Sequence, residues 1–236
     1  MRPVNRGAAP ALYARYESAK QDLVNRLGSY CSYCERRIPT LLAVEHIQPK
    51  GLAQYAHLEC EWTNFLLACV NCNSAKSHAA VECDALLLPD RDNTFVAFVY
   101  DELGTVAPNP AIGPAVGALA LALRDLTALN RMDHPHWDEA VAFSALERVG
   151  QRVQAWLQAE EARSDFEAGR TWPGAIAREA AATGFFSIWM AVFEGAPQVR
   201  QAVIAAFPNT ADDCFDTATT AVSPRPANGL AFGGRI

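Results

Sequence analysis

Two Cys-x-x-Cys pairs, Cys31/Cys34 and Cys69/Cys72, stand 34 residues apart in this chain. A two-residue gap lets a tight turn aim both thiolates at one ion, and two such knuckles complete a closed tetrahedral site. Seven cysteines are present (Cys31, Cys34, Cys60, Cys69, Cys72, Cys83 and Cys214), an odd count with no export signal, which favours metal ligation over a disulfide framework. The four paired cysteines are therefore expected to hold a structural Zn²⁺, while Cys60, Cys83 and Cys214 read as packing residues. Redox use of either pair is disfavoured, because no βαβ pattern surrounds it. Between the pairs lie Val44-Glu45-His46-Ile47-Gln48-Pro49-Lys50 and Trp62-Thr63-Asn64-Phe65, and the second pair runs on into Asn73-Ser74-Ala75-Lys76.

The elements that must position these groups are short. An amphipathic helix is expected over 10–27, with Leu12, Tyr16, Leu23 and Leu27 at helical spacing and Gly28 ending it. Leu41–Ile47 and Phe65–Cys69 read as strands, with a turn at Pro49–Gly51 and a short helix from near Cys72. Phe95–Tyr100 and the segment through Val106 read as a further hairpin. Pro108, Pro110, Gly113 and Pro114 mark a boundary, so 1–108 and 109–236 are expected as two domains. Beyond it the pattern is helical, over about 112–130, 136–162, 173–194 and 197–207, with Phe185–Phe193 apolar nearly all round. The tail after Pro208 is rich in Thr, Ala, Pro and Gly and reads as loose. There is no internal repeat.

Composition bounds the function. Half of the 236 residues are hydrophobic and 19% are charged, as in globular proteins. No apolar run approaches the roughly 18–20 residues of a membrane span, and the N-terminus lacks a secretory core, so a cytoplasmic protein without membrane association is expected. The net charge of −6 argues against a general nucleic-acid coat. The window Arg26–His78 is nonetheless +1, leaving −7 elsewhere, and it holds two of the three lysines, Lys50 and Lys76. A polyanion would be held locally there.

The residues between and after the knuckles resemble the HNH nuclease motif in its form with two Cys-x-x-Cys zinc knuckles. His46, Asn64 and Asn73 fall on its three named positions and Glu45 on the acidic one, over roughly residues 30–80. Asn73 stands where many members have His, and Glu45 where Asp is commoner; both variants still supply an oxygen ligand. The resemblance implies an α+β chain with a zinc-stapled ββα-metal nuclease core, followed by a mostly α-helical half. It implies an endonuclease that hydrolyses phosphodiester bonds, DNA more than RNA, although the motif does not separate the two. His46, with an ordinary pKa near 6.5, suits a general base. Glu45 and Asn73 would hold a catalytic Mg²⁺ or Mn²⁺ against the phosphate. Asn64 would fix the loop carrying His46. Lys76, one turn after Asn73, would join the helix N-terminus as a phosphate seat. Lys50, Arg36 and Arg37 are candidates to track the backbone. Strand alternation sends Glu45 and His46 to opposite faces, so the strand must become irregular there or the ion must sit between them. His57, His78, His134 and His136 carry no motif context.

A looser similarity, through Leu86-Leu87-Leu88-Pro89-Asp90, the Gly104 hairpin and Leu126–Arg131, is to small HNH proteins of bacterial anti-phage operons, in particular the HNH component of Septu-type systems, which is paired with an ATPase. It implies an ATPase partner, docking on 109–236. The rival reading is a non-catalytic zinc module that binds nucleic acid or protein.

Overall fold

Residues 20–27 can coil only one face towards the protein, and α1 (Lys20–Leu27) buries Leu23 and Leu27 on it before Gly28 ends the helix. The computed structural model describes residues 1–130 and 139–236, with side chains omitted for 139–146. The expected first helix is thus shorter at its start: residues 16–19 form a 3₁₀ turn, and the chain before it is irregular. Leu12 is fully exposed, so nothing there rewards helix formation.

Two strands, β1 (Ala43–His46) and β2 (Phe65–Ala68), pair antiparallel with Glu45 opposite Leu66 and His46 opposite Phe65. All four residues of β2 are buried, as a strand covered on both faces must be. The helix α2 (Val70–Lys76) follows at once. A ββα unit therefore spans the two cysteine pairs. After it, α3 (Thr94–Ala97) leads into a hairpin of β3 (Phe98–Tyr100) and β4 (Val106–Pro108). Gly104 at its turn has φ +75° and lies so close to the next half that a Cβ would meet the Val149 carbonyl at 2.7 Å.

The helical half comprises α4 (Pro114–Leu126), α5 (Glu139–Glu167), α6 (Pro173–Thr183), α7 (Phe186–Val192) and α8 (Pro197–Ala206). Pro114, Pro173 and Pro197 each sit in a first turn, where the missing N–H costs nothing. The start of the expected helix 136–162 lies outside the described residues, as do Arg131, His134 and His136. One expectation is corrected: 173–194 is two helices. Gly184 (φ +86°) and Phe185 (φ +57°) break it, and a Cβ on Gly184 would meet the Arg37 nitrogen at 2.7 Å and the Glu35 oxygen at 2.8 Å. The break lets the chain press its backbone against the first cysteine knuckle. The apolar reading of Phe185–Phe193 matches the structure, since Phe186, Ile188, Trp189, Met190 and Phe193 are all fully buried.

The tail departs from its loose reading. Arg225 is buried and donates to the Pro89 carbonyl (3.0 Å) and the Val4 carbonyl (2.9 Å), and Arg235 pairs with buried Asp92 at 3.0 Å. The small and turn-forming residues of this strap leave room for its own arginines to pin it to distant segments. The buried residues on both sides of Pro108–Pro114 belong to one cluster.

Candidate functional site: a cysteine knuckle pair beside a His-Glu-Asn hollow

Cys31 and Cys34 lie in a tight turn that Glu35 (φ +63°) completes, closed by Cys31 N–H to the Arg36 carbonyl (3.0 Å) and Glu35 N–H to the Cys31 carbonyl (3.0 Å). Cys69 caps α2, its sulfur accepting from the Cys72 N–H at 3.5 Å. The four sulfurs lie within 4.8 Å of one another, all on buried residues, and those of Cys34 and Cys69 are 3.7 Å apart. A tetrahedral ion with Zn–S bonds near 2.3 Å needs sulfurs about 3.8 Å apart. The donor set and its spacing fit zinc, and four thiolates would leave such an ion no open position. Hydrogen bonds from the other three cysteines, then the Arg36 guanidinium 3.2 Å away, hold the Cys69 thiol far below its ordinary pKa. Arg36 thus donates to a knuckle sulfur, and it also reaches Asn71 Oδ1 (2.6 Å) and Gln151 Oε1 of α5 (3.2 Å).

On the other side of β1 a hollow of about 290 Å³ is bordered by Glu45, His46, Lys50, Asn73, Lys76 and His78. The alternation problem is met by position: β1 ends at His46, and the wall runs on into Pro49 and Gly51, so the hollow lies across the strand's end and both residues border it.

The His46 ring is packed edge-on against Tyr16 and Phe65, with centroids at 4.8 and 5.2 Å. Its Nε2 lies 2.9 Å from the Glu59 carbonyl. A carbonyl only accepts, so Nε2 carries the proton and Nδ1 is left as the acceptor. Burial lowers the His46 pKa below its ordinary value, partly offset by that carbonyl, which favours the neutral ring. Asn64 clamps the loop after it: Gln48 N–H donates to Oδ1 at 2.8 Å and Nδ2 donates to the Gln48 carbonyl at 3.0 Å, while Ile47 N–H donates to the Asn64 carbonyl at 2.9 Å.

Glu45 is 2% exposed and ion-paired with Lys76, itself 3% exposed, at 2.9 Å; the same ammonium donates to the His46 carbonyl at 2.7 Å. Burial raises the Glu45 pKa, and Lys76 is the main opposing influence. The expected phosphate seat differs here. Lys76 closes the C-terminal end of a seven-residue helix with its charge turned inward, so it holds Glu45 and the strand end instead of facing solvent. Asn73 borders the hollow, and its side-chain amide has no hydrogen bond among the described residues. Lys50 is partly exposed, lying 3.9 Å from the Tyr16 ring centroid and 2.6 Å from Glu59 Oε1. Arg37 is not among the residues bordering the hollow.

Three contributors carried no motif signal. His78 reaches the hollow because Ser77 takes φ +46° and turns the chain back over Gly51. Tyr16 arrives from the segment before α1. Glu35 accepts from Ser187 N–H (3.3 Å) and Oγ (2.7 Å), tying the knuckle to α7.

Compared with known protein families, residues 31–79 match the family described as HNH endonuclease. That segment contains both knuckles and every residue bordering the hollow except Tyr16. No curated protein matches the chain. Among the described residues no helix is long and apolar enough to cross a membrane.

Proposed function

We propose, from the nuclease domain at residues 31–79, that this chain is a metal-dependent endonuclease that hydrolyses phosphodiester bonds of DNA at the hollow beside β1. The observation that supports it best is the setting of His46. Its Nε2–H is fixed on the Glu59 carbonyl, and its Nδ1 acceptor sits in a ring that burial keeps neutral, as a general base requires.

In this reading Nδ1 takes the proton from the attacking water. Glu45 and Asn73 would hold Mg²⁺ or Mn²⁺, which supplies charge neutralisation at the phosphate and the leaving oxygen. The donors fit, being one carboxylate and one unengaged amide oxygen, both hard. Lys76 keeps Glu45 ionised and placed by engaging one carboxylate oxygen. Asn64 sets the angle at which the loop leaves His46, and Lys50 meets the phosphate backbone at the rim. Zinc in the four-cysteine site anchors α2, and with it Asn73, against β2.

Plasmid nicking with Mg²⁺ or Mn²⁺ tests this, with a single-stranded RNA of matched length as the parallel substrate. Cleavage of plasmid by the wild type and its loss in His46→Ala are expected. Cleavage of RNA alone would move the target, and cleavage of neither would remove the reading. One observation favours a second reading, a non-catalytic zinc module: the Glu45 charge is already neutralised by Lys76. The same assay separates the two.

The anti-phage role, with an ATPase docking on residues 109–236 in the cytoplasm, rests on the sequence resemblance alone. The surface used would be one that α5 and α7 leave free after Gln151 and Ser187 engage the first knuckle. Co-purification with the products of neighbouring genes tests it, and full-rate cleavage by the isolated chain counts against it.

A further inference from the structure

We propose that a cavity between β3, α7 and α8 is a binding site for a small organic anion, whose charged group meets Arg200 and whose apolar body lies against Phe98 and Met190. The cavity, about 440 Å³, is walled by aromatic and aliphatic side chains, with Arg200 and Glu194 as its charged members. That volume, apolar wall and sparse polar content are those of small-molecule sites, which run from about 300 to 1,000 Å³.

The argument turns on Arg200. It is 8% exposed and borders the cavity, and its Nε is buried with no hydrogen-bond partner. The Phe95 ring lies 5.5 Å from its guanidinium carbon, a contact to the ring that takes up none of the N–H donors. Arg148 also has unpartnered guanidinium nitrogens, but it is not among the residues that line this cavity, and three other deeply buried arginines reach carbonyls. Arg2 donates to the Leu27 and Pro208 carbonyls, Arg152 to those of Gly104 and Leu129, and Arg225 to those of Pro89 and Val4. A buried guanidinium left without acceptors is costly, and burial lowers its pKa accordingly, with Glu194 opposing from a distance. Glu194 is exposed and forms no salt bridge with Arg200 among the described residues, so the charge of Arg200 is left for an anion in the cavity.

The rest of the cavity sets the occupant's body. Val99 and Val222 stand at its rim, 44% and 43% exposed, two of the large apolar side chains the fold leaves in water. A planar or branched apolar group of one to two rings would cover them, whereas a nucleic-acid strand would meet one charge and an apolar rim. The cavity shares no residue with the hollow beside β1, so the proposal stands whatever that hollow does. Ser187, in the wall, is the residue that holds Glu35 of the first knuckle.

Phenyl phosphate is the probe. The full-length, zinc-loaded chain is titrated calorimetrically in phosphate-free buffer without magnesium, beside benzyl alcohol as the neutral analogue. Saturable binding is expected at or below ~10 mM, with benzyl alcohol at least ~10-fold weaker, the worth of a charge-assisted bidentate contact. Arg200→Gln should weaken phenyl phosphate at least ~10-fold by the same reasoning. Val222→Trp, which keeps Arg200 and fills the rim, should weaken it as well, and decides the matter if Arg200→Gln fails to fold. Lys50→Ala should leave binding unchanged. No binding at that concentration, binding that survives the cavity variants, equal binding of benzyl alcohol, or binding lost in Lys50→Ala would each overturn the proposal.

Discussion

Replacing Lys76 by Met removes a charge at the base of the hollow while keeping most of the side-chain volume. The structure sets the size of the effect. Lys76 and Glu45 are 3% and 2% exposed and 2.9 Å apart, with a further bond of 2.7 Å to the His46 carbonyl. An exposed pair would be worth at most about 1 kcal/mol. A buried pair that loses one member leaves the other charge unpaired, at a cost of about 3–5 kcal/mol. At the lower figure, and about 2–4 °C per kcal/mol for a chain of this length, the melting temperature should fall by roughly 6–12 °C. The assay is thermal and urea denaturation of zinc-loaded protein, read by tryptophan fluorescence and repeated for Glu45→Gln and for the double variant. The double variant should recover much of the loss, because neither charge is then stranded. A Lys76→Met protein within about 0.5 kcal/mol of wild type would refute the buried-pair reasoning and return Lys76 to the role of a surface cation.

Metal analysis should find one tightly bound zinc per chain, and Cys69→Ser should lose both the zinc and cooperative unfolding, since a closed four-thiolate site contributes folding energy outright. His46→Ala should fold, retain nucleic-acid binding and cut at least ~100-fold more slowly; equal rates would reassign the base. Because burial lowers the His46 pKa, the neutral ring survives below its ordinary titration, so cleavage should hold to about pH 6.5 and decline only at lower pH. A decline centred above pH 7 would contradict this. With each metal restored singly to metal-stripped hollows that keep their structural zinc, Mg²⁺ and Mn²⁺ should support cutting and Zn²⁺ should not. Asn73→His should widen tolerance towards Zn²⁺, and full wild-type activity with Zn²⁺ alone would mean the ligands are misassigned.

The local chemistry was legible in the order of residues. The Cys31/Cys34 and Cys69/Cys72 spacings are turn geometries, and β1, β2 and α2 follow from short-range apolar pattern and breakers, so the ββα unit is written in the local sequence. The clustering of the four cysteines was legible in the same way, because each knuckle is built within four residues. What the sequence could not decide are contacts closed across long stretches of chain. The inward turn of Lys76 onto Glu45 spans 31 residues and depends on α2 packing under β1. His78 enters the hollow only through the φ of Ser77. The break at Gly184 is set by the backbone of Glu35 and Arg37, far earlier in the chain. The tail, loose by composition, is ordered by Arg225 and Arg235 reaching distant carbonyls and Asp92. Periodicity reports which face of an element is apolar. Which partner covers that face, and which charge ends up facing which, is decided by the burial of the whole chain at once.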